Sequence, residues 1–258
     1  MAKTKKLRTQ YFIDEKLGFE AILSSGSEIA YPEHNHVSTY IVGLICQGSM
    51  TLKTGKTLRT LRPGDVYRVE PYEPHALWAD GPYAMVTVCV TDRGESATEK
   101  PARLEAIGAK LRTLRKEWLS PDDSAKIAAE LLRPRAYRTP AGLDRLDALK
   151  NMLVGHPEQS LNLDDMAAVV NLCPQHLVRM FKKRFGLTPH RFHKQNRVRL
   201  ARRRCKGASS LTRLALDSGF YDQSHCIREF RKALGMTPRQ YLAARRSFPS
   251  RSGLADEL

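Results

Sequence analysis

The chain has 258 residues, enough for two domains that each bury a core, and 41% of them are hydrophobic, which argues against a disordered chain. Residues 1–100 carry 12 basic and 12 acidic side chains, so the other 31 basic and 15 acidic ones, and the whole net charge of +16, lie in residues 101–258. A neutral half joined to a basic half favours a polyanionic partner for the second half, with nucleic acid ahead of a membrane surface.

The residues contain no recognisable membrane or secretion signal. The N-terminal stretch MAKTKKLRTQYFI lacks an apolar run of secretory length, and no stretch approaches the ~20 apolar residues of a membrane span. The five cysteines are scattered and form no CxxC pair, which favours reduced thiols over a disulfide framework or a zinc finger. We therefore expect a cytoplasmic protein.

Residues 28–91 have the pattern of short β-strands. Apolar runs alternate with the turn signals KTGK at 53–56, RPGD at 62–65 and DGP at 80–82, and the run AMVTVCV at 84–90 has strand character. Several short strands at this spacing predict an all-β sandwich or small barrel.

Three histidines fall within this β pattern. His34 and His36, in PEHNH, are two residues apart, so on a strand both side chains lie on the same side. His75 follows a Pro-x-x-Pro stretch in RPGDVYRVEPYEPHALW, which is expected to bring it to the same mouth of the barrel.

With its His-x-His motif followed by a PGD…P…H motif, this half resembles a cupin. The resemblance implies an effector-binding barrel whose pocket is lined by His34, His36 and His75. Metal-binding cupins usually add an acidic ligand after the His pair, but residues 37–64 contain no Asp or Glu. Three histidines alone can hold a zinc-like or iron-like ion with open positions. The preferred interpretation is that the imidazoles form hydrogen bonds within the barrel or to an organic effector, so no cofactor is predicted.

An apolar stripe between the halves predicts a helix. Its members recur at spacings of 3, 4, 3 and 4, the a/d pattern over two heptads: Leu104, Ile107, Leu111, Leu114 and Trp118. The stripe suits pairing with its counterpart in a homodimer through residues 101–119, and it equally suits packing on its own barrel. Two prolines in LLRPRAYRTPAG, residues 131–142, mark the expected linker.

The second half contains a duplicated unit. LDDMAAVVNLCPQHLVRMFKKRFGLTPHRF at 163–192 matches LTRLALDSGFYDQSHCIREFRKALGMTPRQY at 211–241, with a spacing of 48 residues before a turn and 49 after it. Ala167 thus pairs with Ala215, and Gly186 with Gly235. One residue has been inserted in the turn of the second copy.

Each copy is predicted to fold as helix, tight turn, helix. In the second copy, Gly219 is expected to end the first helix in the left-handed conformation, above a buried Phe220, and Asp222 to cap the next helix. In the first copy, Asn162 is the expected cap of the first helix and Cys173 a weaker cap of the second. The expected buried side chains of the second helices are Leu177, Phe181 and Phe185, and Ile227, Phe230 and Leu234.

A tight turn followed by a helix with a small-polar and basic outer face suits a reader of the DNA major groove. Residues 190–205 predict a spacer helix about 23 Å long, which suits two recognition helices about one DNA turn apart. Five arginines of this helix are expected to contact phosphates: Arg197, Arg199, Arg202, Arg203 and Arg204.

Residues 145–246 resemble the AraC-type DNA-binding domain with its two helix-turn-helix units. LALDSGFYDQSHCIREFRKALGMTPRQYL is similar to that family's second-unit signature almost residue for residue. The resemblance implies base-reading roles for Gln175, Val178 and Arg179 in the first unit and for Gln223, Ser224, His225 and Arg228 in the second. It places Lys182, Lys183 and Arg231 nearer phosphates. Gln and Arg each suit base reading because they can make two hydrogen bonds to one base edge, worth roughly 1–3 kcal/mol of discrimination.

The sequence as a whole predicts a two-domain protein, β then α. Its parts are a cupin-like β-barrel in 1–100, a helical dimerisation segment and linker in 101–143, an all-α domain with two helix-turn-helix units in 144–246 and a tail in 247–258. We expect a transcription regulator of the AraC family that is not an enzyme and is controlled by a small effector. The expected partners are double-stranded DNA, the effector, a second copy of the chain and, for an activator, RNA polymerase.

Two other functions stay open. A metal-dependent cupin enzyme with a DNA-targeting domain would use His34, His36 and His75 as ligands, although it would lack the usual carboxylate. A non-specific architectural DNA binder would bind through charge alone and would show no preference for a cognate site.

Overall fold

The computed structural model describes residues 8–37, 39–93, 99–114, 119–133, 145–246 and 248. Strands come first and helices follow, so the predicted order of β then α is confirmed. The described strands are β1 (Arg8–Asp14), β2 (Phe19–Gly26), β3 (Ile29–His34), β4 (Thr39–Gln47), β5 (Met50–Thr54), β6 (Thr57–Leu61), β7 (Val66–Val69), β8 (His75–Ala79), β9 (Tyr83–Thr91) and β10 (Arg245–Arg246). The described helices are α1 (Glu99–Leu111), α2 (Pro121–Leu132), α3 (Arg145–Gly155), α4 (Leu163–Val170), α5 (Pro174–Phe185), α6 (Pro189–Arg204), α7 (Leu211–Asp217), α8 (Gln223–Leu234) and α9 (Pro238–Ala244).

The β domain consists of two sheets with a shared apolar interior. The larger sheet has the strand order β10-β1-β2-β9-β4-β7 and the smaller one the order β3-β8-β5-β6. The turns predicted from KTGK, RPGD and DGP lie between β5 and β6, between β6 and β7 and between β8 and β9. The sandwich or barrel predicted from these signals is therefore the observed architecture.

The larger sheet is buried on both faces, which explains the unbroken apolar run in β9. Alternate residues of a strand lie on opposite faces. Val86 and Val88 accordingly pack with α1 and α2 on the outer face, while Met85 and Cys89 belong to the cluster between the two sheets. A strand with one wet face would have shown polar residues at every second position.

The helix predicted from the apolar stripe is α1, and it packs on its own barrel. Three stripe residues lie in α1 and the fourth, Leu114, follows its end at Leu111. All four are at most 5% exposed and join one cluster with α2 and the larger sheet: Leu104, Ile107, Leu111 and Leu114. Trp118 and residues 134–144, most of the expected linker, lie outside the described residues. Of the two alternatives, packing on the barrel is the one observed. The apolar stripe is already buried against the barrel, so a homodimer through residues 101–119 would have to use another face of that segment.

Each predicted helix-turn-helix unit is present, as α4 with α5 and as α7 with α8. The two turns contain a residue of positive φ at equivalent positions, Asn171 at 53° and Gly219 at 81°. Glycine adopts this conformation without strain, and asparagine tolerates it better than most residues. No helix among the described residues is long and apolar enough to cross a membrane.

The predicted caps are confirmed. The Asn162 side chain accepts a hydrogen bond from the backbone of Asp165 at 2.8 Å, and Asp222 accepts one from the backbone of His225 at 2.6 Å. Cys173 makes no side-chain cap bond, so α5 starts without the capping bond that starts α8.

The buried stripe of α8 differs from the prediction. Phe230 is fully buried as expected, but its buried partner is Cys226, whereas Ile227 and Leu234 are only half-buried. The small Cys226, one turn before Phe230, joins the cluster that α8 shares with α6, so the buried face is rotated by about one position. In α5 the predicted residues Leu177, Phe181 and Phe185 are all buried.

The two domains pack directly on each other. Immediately after α9, the two residues of β10 pair in parallel with β1, and the Tyr11 ring meets the Tyr241 ring edge-on with 4.9 Å between centroids. Glu20 and Arg202 form an ion pair of 2.8 Å across the same interface. Sequence analysis predicted neither contact, since each joins residues more than about 180 positions apart, beyond the reach of local patterns.

Truncation of the α1 stripe tests how this helix is used. We expect Leu111→Ala to lower the free energy of unfolding by about 2–5 kcal/mol, because it opens a cavity in a fully packed cluster. The loss should be the same at every protein concentration in chemical denaturation, and Glu105→Ala on the exposed side of α1 is the control. Dissociation of a dimer by Leu111→Ala, seen in sedimentation, would show that the stripe pairs two chains.

Candidate DNA interface and effector site

The outer side of α5 carries polar and basic side chains. Gln175, Arg179, Lys182 and Lys183 are exposed, and Val178 is half-buried beside them. The opposite side of the helix holds the apolar residues that fix it to α4 and α6. The first-unit residues predicted to meet DNA therefore share one side of a firmly packed helix.

The corresponding side of α8 is also exposed. Gln223, Ser224, Arg228 and Arg231 are open to solvent, and the last three line a shallow basic depression. His225 differs, because its ring is half-buried and meets the edge of Phe220 at 5.3 Å. It is therefore less accessible than the residues around it.

The spacer helix α6 is used differently from the prediction. Arg202 pairs with Glu20, Arg199 donates to the backbone carbonyl of Asn35, and Arg191 donates to the Glu33 carbonyl over 2.7 Å. These arginines bind the β domain, so the predicted phosphate contacts of Arg199 and Arg202 are wrong for this arrangement. The helix α6 contacts other helices on several sides. The basic composition of a segment does not show that it is surrounded in this way.

Other arginines of α6 brace the DNA-binding half from within. Arg197 donates to the carbonyls of Pro157 and Gln159, each over 3.0 Å, and Arg204 donates to the carbonyl of Asp217. Arg203 is exposed. Arg203 and Arg204 are thus the two of the five arginines that are exposed, and Arg204 is already bonded to Asp217.

The three predicted histidines come together at one end of the barrel. His34 and His75 are direct cross-strand partners on β3 and β8, and their ring centroids are 4.3 Å apart. The His36 ring lies 5.0 Å from that of His34 and 5.2 Å from that of His75. One nitrogen of each ring lies within 4.8 Å of the others, which makes this triad the one His, Cys or carboxylate cluster of metal-binding geometry among the described residues.

Backbone carbonyls orient two of the rings. The Nδ1 of His34 is 2.8 Å from the Pro32 carbonyl, and the Nδ1 of His75 is 3.1 Å from the Glu73 carbonyl. A carbonyl only accepts, so each Nδ1 carries the proton and each Nε2 keeps a free lone pair. The Nε2 of His36 is buried without a hydrogen-bond partner among the described residues. Histidines that bind a metal ion usually donate their other ring N–H to a carbonyl or carboxylate in the way that His34 and His75 do.

All three imidazoles are neutral at physiological pH. Burial lowers the pKa of His34 to about 3, and the neighbouring His75 and Arg199 add to the effect. Burial also lowers the pKa of His36 and of His75, and for His36 the two other histidines contribute. Neutral imidazole is the form that binds a metal ion or accepts a hydrogen bond from a ligand.

The barrel interior behind the triad is filled by side chains. Tyr67 lies across Gly43 so closely that a Cβ on Gly43 would be 2.1 Å from the Tyr67 ring. Leu52, Leu77 and Met85 are among the buried residues of the same cluster. The triad therefore lies above a packed apolar floor.

Asn35 is the site residue that sequence analysis missed. It is 1% exposed, and its side-chain amide donates to the carbonyl of Phe185 at the end of α5 over 2.9 Å. The available signal was the alternation of side chains: if His34 and His36 lie on one side, the residue between them lies on the other.

Known proteins share both halves of this chain. A family model of the AraC-like ligand binding domain matches residues 16–143, and a model of a helix-turn-helix domain matches residues 166–244. The chain belongs to the AraC-type transcriptional regulators. It combines an effector-binding domain with a DNA-binding domain, as its motifs predicted.

Two relatives and one solved structure agree with this assignment. The AraC-type regulator described here is 26% identical over 246 residues to the uncharacterized HTH-type transcriptional regulator YbfI of Bacillus subtilis (strain 168), covering 83% of this chain and 87% of that protein. It is 34% identical over 84 residues to the HTH-type transcriptional regulator MtrA of Neisseria gonorrhoeae, which is 31% of this chain and 27% of that one. ToxT from Vibrio cholerae shares the fold, with a TM-score of 0.55 at 12% identity over 88% of this chain and 98% of that chain.

Proposed function

We propose that this regulator reads two adjacent major-groove segments of one DNA duplex with α5 and α8. The equivalence of the two helices supports the proposal. Each follows a turn containing a residue of positive φ, and each ends at a glycine of positive φ. Each also exposes a polar residue at its second position, Gln175 or Ser224, and an arginine four residues later on the same side. A solvent-facing helix of this kind suits the groove, which admits one helix.

Within this proposal the exposed residues divide into two roles. Gln175, Arg179, Gln223, Ser224 and Arg228 read base edges, with Val178 offering a methyl contact, while Lys182, Lys183 and Arg231 hold phosphates. His225 is assigned to reading with the others, although its ring packing on Phe220 favours a positioning role for it. The exposed Arg203 is a further phosphate contact that the structure leaves accessible.

Two arginines of α8 form a matched pair for testing these roles. We expect Arg228→Ala to weaken binding to a selected operator about 5- to 150-fold and binding to scrambled DNA much less, because a bidentate base contact is worth about 1–3 kcal/mol. Arg231→Ala should weaken both duplexes alike and reduce the slope of log affinity against log salt by about 1. Fluorescence anisotropy over a salt series measures both quantities. Equal losses on the two duplexes for Arg228→Ala would assign that residue to the backbone.

The histidine triad is the site that we propose for the effector. It lies in the ligand-binding half, it contains a buried nitrogen without a hydrogen-bond partner among the described residues, and it adjoins the other domain. A ligand held there lies beside Asn35, whose side chain contacts the other domain. The position supports control of the DNA-binding domain from this site.

A transition-metal ion is the effector class that the site's geometry favours. Three neutral imidazoles, two of them with tautomers fixed by backbone carbonyls, match a three-histidine site with open positions, as zinc or iron(II) would occupy. The packed interior behind the triad leaves a bulky organic ligand little room below the rings. This evidence outweighs the preference for an organic effector that the missing carboxylate suggests.

Zinc titration of the full-length, untagged protein tests the site. We expect about one equivalent of tightly bound zinc, and a loss of affinity of more than about 10-fold in His36→Ala. His156→Ala, which removes an exposed histidine of the other domain, should bind zinc as the unaltered protein does. Absence of zinc, iron, nickel and copper binding would contradict a metal effector and return the triad to the lining of an organic pocket.

The remaining partners follow from the same proposal. A cytoplasmic regulator would meet RNA polymerase if it activates transcription, and a homodimer would use a surface other than the buried stripe of α1.

We propose a sensing role for the triad instead of catalysis, because its metal-binding cluster includes no carboxylate that would serve as a general acid or base among the described residues. Turnover of a substrate that disappears in His75→Ala would overturn this assignment.

A further inference from the structure

The C-terminal end of α5 lies directly beside the histidine triad. Asn35 stands between His34 and His36 in the chain, and its amide donates to the carbonyl of Phe185, the last residue of α5, over 2.9 Å. Asn35 is buried, so this bond is made away from water, where an unmade one is costly. One three-residue segment therefore carries two triad histidines and a contact to the first recognition helix.

His36 has a second connection to the same helix through Tyr72. The backbone N–H of Tyr72 donates to the His36 carbonyl over 2.8 Å, and the Tyr72 ring packs against Phe185 with 6.1 Å between centroids. Tyr72 has a φ of 63°, a conformation that residues with a Cβ rarely adopt. Surrounding contacts must therefore hold Tyr72 in this conformation. Two of them, the hydrogen bond to His36 and the ring contact with Phe185, connect His36 to α5.

His75 has a third connection, through its neighbour Pro74. Gly186, which ends α5, lies so close to Pro74 that a Cβ on Gly186 would be 2.1 Å from the Cγ of Pro74. The fixed φ of proline leaves the Pro74–His75 segment little local freedom. Pro74 therefore places His75 one residue from a direct contact with the end of α5.

We infer that binding of a transition-metal ion to the triad repositions α5 against the β domain and thereby changes the affinity for DNA. The inference rests on the proposed effector role of the triad. The three nitrogens lie within 4.8 Å of one another, whereas the nitrogens around a tetrahedral zinc ion lie about 3.3 Å apart. The residues that contact the end of α5 are next to the triad in the chain or bonded to it: Asn35 and Tyr72 contact Phe185, and Pro74 contacts Gly186. Close-packed contacts of this kind switch between arrangements instead of deforming smoothly.

The second recognition helix lies beside β3 and is joined to the β domain by an aromatic contact as well. Phe230 of α8 packs on Tyr241, and Tyr241 packs on Tyr11 of β1, on the side of the β domain where β10 pairs. Movement at the end of α5 therefore alters the relation between α5 and α8. Because both helices must meet one face of the same duplex, their relation governs the affinity.

Two equivalent glycines provide a matched pair of variants. Gly186 and Gly235 end α5 and α8 with φ of 77° and 71°, so alanine strains both helix ends alike. The Gly186→Ala methyl meets Pro74, whereas the Gly235→Ala methyl has no described atom within 4 Å. The difference between the two variants therefore isolates the contact with the β domain.

The test compares the DNA affinity of the full-length chain with and without saturating zinc, on a fluorescent duplex selected from a random library by the zinc-free protein. We expect zinc to change the dissociation constant by about five-fold or more for the unaltered chain and for Gly235→Ala. For Gly186→Ala the change should shrink to less than about two-fold, measured at a zinc concentration that a chelator competition shows to saturate that variant. Asn35→Ala, measured at its own saturating zinc concentration, should show the same reduction and replaces Gly186→Ala if that variant does not fold.

The outcomes separate the inference from the proposal beneath it. Zinc binding with no effect on DNA affinity, or full retention of the effect in both Gly186→Ala and Asn35→Ala, would overturn the inference and leave the triad as an effector site. Failure of the unaltered chain to bind zinc would overturn the proposal that the effector is a metal ion. By linkage, DNA must also change the zinc affinity by the same factor, which checks the measured coupling independently.

Discussion

The alternation of side chains along an extended chain is the constraint on which the rest of this structure depends. At the end of β3 it directs His34 and His36 toward His75 and leaves Asn35 for the other domain. If this alternation were shifted by one residue, the Asn35 amide would lie among the imidazoles and a histidine would lie against Phe185. The histidine triad and the domain interface thus lie on opposite sides of the same three residues.

The positive charge of the second half has two uses. Arginines of α6 bind carbonyls and a carboxylate inside the protein, where Arg202 faces Glu20 and Arg197 faces Pro157. Burial alone would lower the pKa of Arg202, but the adjacent Glu20 carboxylate raises it overall, so the cation is kept. The recognition helices keep Arg179 and Arg228 exposed. The net charge of +16 is therefore larger than the positive charge that is exposed and available to DNA.

The parts of the fold that depend on local chemistry could be predicted from the sequence. Asp222 caps α8 and Gly219 turns the chain because of properties that each residue has by itself. The three histidines were also predictable, since two share a strand end and the third follows a rigid proline stretch. The same local reasoning misplaced the buried face of α8, because Cys226 is buried only through contacts with distant elements.

Contacts between the domains could not be predicted in this way. The pairing of β10 with β1, the Glu20–Arg202 ion pair and the Asn35–Phe185 hydrogen bond each join positions that no helix or strand period relates. The packing of α1 could not be predicted either, because its stripe fits a twin and its own barrel equally well as a pattern. Of these contacts, the Asn35–Phe185 hydrogen bond connects the segment of the triad with α5.

The most direct test is the distance between the barrel and α5 in the presence and absence of zinc. Spin labels on Leu58→Cys, at an exposed position of β6, and on the exposed native Cys173 at the start of α5 report it, with Cys46→Ser to prevent a third label. We predict that zinc shifts or broadens the distance distribution and that His36→Ala abolishes the change. An identical distribution with zinc bound at the triad would contradict control of α5 from this site.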